Sequence, residues 1–174
     1  GEENFIQTLS DWPLDREIPE LYSFPMKKLL DDYYIVGGMP EAVKVWSETH
    51  DYDEVTDVQN EILNDYESDF AKHAPLSEVP KIKMIWNSVP VQLARENNKF
   101  VFSHVKEGKR SADLEDALEW LIDAGIIYKL CLVEKPELPL SGFANYTYFK
   151  VYLCDVGLLG VRSGLSPKTI KNGS

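Results

Sequence analysis

Apolar residues recur along this chain first at a helical period and later at a strand period. Leu21, Phe24, Leu29, Leu30, Tyr33 and Tyr34 predict a helix over about Pro25–Val36. Gly37-Gly38 stops it, because glycine tolerates the left-handed position that closes a helix. Pro40 suits the first turn of the next helix, where its missing N–H costs nothing. That helix carries Ala42, Val43 and Trp46 on one face. The strongest period covers Asp53–Lys72, with Val55, Val58, Ile62, Leu63, Tyr66 and Phe70 at spacings of three and four. Its remaining faces are acidic, as on a solvated helix. Residues 1–20 hold Pro13 and Pro19 without a clear period, an irregular lead-in with a short helix near Asn4–Ser10.

Ala74-Pro75 breaks the pattern, and Ser77 is a candidate cap for the next helix. Ile82, Ile85, Trp86 and Val89 point inward there, Pro90 is expected to kink or divide it, and Leu93 belongs to the second part. Lys99–Phe102 is short and β-like, and Ser103–Glu107 suits one helical turn ended by Gly108. Ser111 opens an amphipathic helix with the stripe Leu114, Ala117, Leu118, Leu121 and Ile122, ended by Gly125. Ile126–Val133 then reads as a strand and Glu134–Asn145 as a loop. Tyr146–Cys154 is a second strand, with Thr147, Phe149, Val151 and Leu153 on one side. A short helix follows near Asp155–Leu159. The order from residue 77 is that of a winged helix-turn-helix, with 134–145 as the wing.

The reading is therefore a mainly α (α+β) protein. A helical, lid-like subdomain (1–73) precedes a winged-helix domain with a small antiparallel β-hairpin (76–165), and 166–174 form a flexible tail. No apolar run approaches the ~20 residues of a bilayer span, and Gly1-Glu2-Glu3-Asn4 opens no signal peptide, so a cytoplasmic location is expected. Cys131 and Cys154 are read as buried free thiols, a disulfide between neighbouring strands being the alternative. His50, His73 and His104 are scattered, so no metal site is expected.

The net charge of −11 disfavours general nucleic-acid binding but leaves room for a local basic patch. The would-be recognition helix carries Asp113, Glu115, Asp116, Glu119 and Asp123, which would face phosphate in a DNA groove. Lys106, Lys109 and Arg110, with Lys99 and His104, cluster just before it. They are candidates for phosphate or partner contact, for pairing with the acidic helices, or for simple solvation. Ser103–Arg110 imitates a phosphate loop, but Ser103 stands where the first glycine belongs and Arg110 where the Mg²⁺-binding hydroxyl belongs. No other catalytic motif occurs, so the chain is not expected to be an enzyme.

Five stretches carry a resemblance. They are Gly37–Val43, Ile62–Phe70, Val89–Phe100, Ala117–Ile126 and Phe149–Leu159. In this order they resemble the C-terminal region, of unknown function, of prokaryotic AAA-type P-loop ATPases, over about Leu29–Leu165. The resemblance implies a missing N-terminal ATPase core before this region and a nuclease-like module that often follows it. It implies ATP and Mg²⁺ for the parent protein and no cofactor for this chain. Gly38, Met39 and Pro40 would face nucleotide in the parent, by analogy with a Gly-x-Pro corner of related nucleotide switches; a purely structural corner explains the same residues. The chain would couple the nucleotide state of the core to a protein partner or to the downstream module. A DNA-binding winged-helix regulator is the alternative, and DNA is the less favoured partner.

Overall fold

The computed structural model describes residues 7–13, 15–95 and 99–172. Helical backbone is present over 7–10; the rest of the helix expected near Asn4–Ser10 lies outside the described residues. The helices α1 (Glu20–Val36), α2 (Pro40–Thr49), α3 (Tyr52–His73) and α4 (Val79–Leu93) come first. A short turn α5 (Phe102–Val105) and the long α6 (Ser111–Asp123) lead into a hairpin of β1 (Ile127–Val133) and β2 (Ala144–Leu153). Two short helices close the chain, α7 (Val156–Arg162) and α8 (Pro167–Asn172). Among the described residues the protein is thus mainly helical with one small antiparallel two-stranded sheet, an arrangement that does not conflict with a winged helix from α4 to β2.

The caps explain several boundaries. Asp51 accepts from the N–H groups of Asp53 and Glu54 and opens α3. At α6 the Asp113 carboxylate reaches back to the Arg110 N–H at 3.0 Å. Ser77 does not cap α4; Glu78 occupies that position without a side-chain bond, and Pro80 fills the first turn. Helix α1 starts five residues earlier than expected and takes Pro25 into its second turn. There proline forfeits only the bond to the Leu21 carbonyl.

Pro90 neither divides nor ends α4, which runs on to Leu93. A proline at 90 leaves the Trp86 carbonyl without its helical donor. Arg162 Nη2 supplies the replacement at 3.3 Å, and the guanidinium also lies over the Trp86 ring, 4.2 Å from its centroid. Glu67 and Asn87 hold the same guanidinium. One side chain from the end of the chain thus makes an interior proline tolerable.

The hairpin pairs Ile127 with Leu153 through Cys131 with Phe149, then slips, so that Leu132 faces Asn145. Phe149, Val151 and Leu153 are buried as the alternation predicts. Thr147 is exposed, because the slip leaves 146–148 out of the ladder. Lys99–Phe102 forms no strand; it makes one ladder-like bond, Phe100 N–H to the Phe149 carbonyl at 2.8 Å. Both cysteines are free and half-buried.

The larger core takes Leu63 and Phe70 from α3 and joins them to α4, α6, the hairpin and Leu158 of α7. Trp86 and Phe70 are fully buried at its centre, edge to face at 5.6 Å. A smaller core gathers Val36, Ala42 and Val55. Met39 packs against both. The expected tail from 166 onward is in part the helix α8: Ser166 Oγ accepts from the Thr169 N–H at 3.2 Å, Pro167 fills the first turn, and Lys171 pairs with Asp32 of α1. Residues 173–174 lie outside the described part.

Candidate functional site

The first candidate is the corner between α1 and α2. Gly37 adopts φ 72°, a conformation that other residues rarely take, and its N–H closes α1 on the Tyr33 carbonyl. A side chain here would also collide with the Asp155 carboxylate. That carboxylate does two things from a site only 7% exposed. One oxygen accepts from the Leu158 N–H at 2.9 Å, capping α7. The other accepts from the Gly38 N–H at 2.6 Å. A single side chain therefore ties the corner to the end of the hairpin.

Around this bond the packing is close. Gln59, buried in α3, donates to the carbonyls of Ile35 and Val36 at 2.9 and 3.0 Å. Gly157 abuts the same place; a Cβ there would meet the Val36 carbonyl oxygen at 2.7 Å. Tyr66 O–H donates to the Met39 sulfur at 3.7 Å. Burial pushes the Tyr66 phenol above its ordinary range, and the neighbouring Cys154 adds to this. Burial likewise pushes up the Cys154 thiol, assisted by the Asp155 charge. The corner thus rests on the Asp155 carboxylate and, beside it, on the neutral side chains of Gln59, Tyr66 and Cys154. Above it, Gly38 and Pro40 are exposed and Met39 is half-buried. The three residues singled out from sequence sit together, with the proline ring open to solvent.

The second candidate is a cleft of about 480 Å³ between the α5–α6 connection and β2. Lys109 and Arg110 line it, as do Lys99 and Lys129; Lys106, expected with them, does not. Glu115 is the one carboxylate in the lining. Lys129 is held by Glu119 at 2.8 Å and lies over the Phe149 ring. The sequence singled out neither Lys129 nor Asp155 as a site residue. An aspartate just before a helix is a cap signal, but nothing in it points to Gly38. Among the described residues no group of acidic, histidine or cysteine side chains is arranged to hold a metal ion.

The sequence model of a family described as a domain of unknown function (DUF8612) matches residues 27–169. The chain belongs to that family. The DUF8612 match spans the Gly37–Pro40 corner, the cleft and Asp155 together. No curated protein and no solved structure matches the chain. No helix among the described residues of this DUF8612 protein is long and apolar enough to cross a membrane.

Proposed function

We propose that this chain is the non-catalytic coupling module of a prokaryotic AAA-type ATPase. In this reading the 37–40 corner receives the nucleotide state of a P-loop core and passes it to the winged-helix part. The observation that carries the proposal is the Asp155 carboxylate, which binds the Gly38 N–H and caps α7 at once. A displacement of the corner then moves α7, and through Leu158 the larger core, because a half-buried, charge-assisted bond of 2.6 Å resists breaking. Two further observations support it. The Pro40 ring is free to meet a base, at a helix start that favours nearby anions. The outer face of α1 leaves Leu21 and Phe24 each 76% exposed, the kind of apolar surface a protein partner covers. The helical subdomain and the winged helix act in this scheme as lid and receiver.

The test begins with the gene: a strand followed by GxxxxGK[ST] encoded before this region is required. In that intact protein, Pro40→Ala should weaken nucleotide binding. Asp155→Asn should leave binding in place and change the rate of ATP hydrolysis. A gene without the P-loop, or an Asp155→Asn protein with unaltered turnover, sinks the proposal.

A further inference from the structure

We infer that the cleft beside α6 is a binding site for a small phosphate ester carried on a flat apolar body, such as a mononucleotide. The inference is independent of the ATPase reading, since it concerns a surface away from the corner.

The charge of the cleft runs against that of the chain. A protein of net charge −11 places four cationic side chains and one carboxylate around a single cavity. Lys129 is partly neutralised by Glu119. Among the described residues, neither Lys109 nor Arg110 has an ion-pair partner within 4.0 Å, although acidic residues are plentiful nearby. Two unpaired cations side by side match a dianion better than a single carboxylate. The guanidinium fork adds bidentate geometry suited to phosphate. Ser103 and Ser111 add hydroxyl groups to the lining.

Four aromatic residues, with Val101 and Thr147, make up the rest of the wall. Phe102 is half-buried and packs edge to face on Phe149, and Tyr146 stands 62% exposed in the same lining. A base needs such a surface, since stacking serves any flat ring. The volume falls within the roughly 300–1,000 Å³ of small-ligand sites. The acidic residues of α6 argue against a long polyanion: beyond the Glu115 of the lining the helix carries Asp116, Glu119 and Asp123, charges that disfavour an extended polyanion more than a compact ester.

The experiment titrates the 174-residue chain with adenosine 5′-monophosphate, inorganic phosphate, adenosine and an oligothymidylate without a terminal phosphate, following amide shifts by NMR. The monophosphate should bind about tenfold tighter than phosphate or adenosine alone, and tighter than the oligonucleotide. Lys109→Glu with Arg110→Glu should weaken it about tenfold or more. Lys106→Glu, outside the cleft, should change it less than about twofold. Glu115→Gln, which removes a repelling charge without touching the core, should tighten it. Absence of saturable binding, an oligonucleotide that binds tighter than the monophosphate, or equal losses from Lys106→Glu and the double variant would each overturn the inference.

Discussion

Asp155→Ala tests the tie between the corner and the hairpin most directly. The substitution removes the acceptor of two N–H groups at a site 7% exposed. Losing the cap of α7 costs ~1 kcal/mol. Losing the bond from Gly38 to a charged acceptor costs about 1.5–3 kcal/mol, toward the lower end because Gly38 itself is exposed and its N–H can take up water. The sum is roughly 2.5–4 kcal/mol. Asp155→Asn should cost somewhat less than alanine, since one oxygen survives. Its amide nitrogen must face one of the two donors, because Leu158 and Gly38 use different oxygens. Gly37 allows a sharper check. Gly37→Ala suffers both the positive φ and the collision with the carboxylate. On the Asp155→Ala background only the backbone penalty remains, about 1–3 kcal/mol for a positive φ with extended ψ (−158°), a region essentially confined to glycine. A double-mutant cycle by urea denaturation should therefore show strong coupling, with the second change much cheaper after the first. If Asp155→Ala shifts stability by less than about 0.5 kcal/mol, or if the two changes simply add, the corner is not held as described.

Other outcomes follow from the same contacts. Leu118→Ala and Leu121→Ala should each destabilise by ~2–5 kcal/mol in denaturant titrations, since both side chains are fully buried in α6. Arg162→Lys should cost about 1.5–3 kcal/mol, because an ammonium cannot serve Glu67, Asn87 and the Trp86 carbonyl while lying flat on the indole; an unchanged midpoint would leave Pro90 unexplained. Cys154 and Tyr66 both have raised values in the fold, so the native state holds protons that the unfolded chain gives up first. Stability should be full below the ordinary thiol range and fall as pH climbs above about 9, with Cys154→Ala removing the earlier part of the decline. Duplex DNA should bind weakly and without sequence preference, and reversing Lys106, Lys109 and Arg110 should flatten what salt dependence there is.

Much of this architecture was legible in the sequence because its helices are long and one-sided. In α3 and α6 the apolar positions repeat over several turns, so the buried faces were evident before any packing was known. The Gly-Gly-x-Pro corner was legible for a local reason, since both glycines and the proline act on their own backbone. What escaped was set by distant partners. Nothing near Pro90 announces that Arg162 will occupy the carbonyl it leaves free. Lys129 reads as one outward residue of a strand, and only the position of β2 against the α5–α6 connection brings it to the cleft. α8 is six residues long, too short for a period, and its Ser166-Pro167 start is easily taken for an irregular end.

The Asp155–Gly38 bond also dictates an order of assembly. The two residues lie 117 positions apart. A ribosome adding about 5–20 residues per second needs roughly 6–23 s to cover that distance. During that interval the residues of α2 and α3 are added, but the turn between α1 and α2 has no carboxylate to close on. Until then the Gly38 N–H has only water to bond, and Val36, buried in the finished fold, lacks the Gly157 backbone that packs against it. The corner becomes fixed only when the hairpin has emerged and α7 has formed.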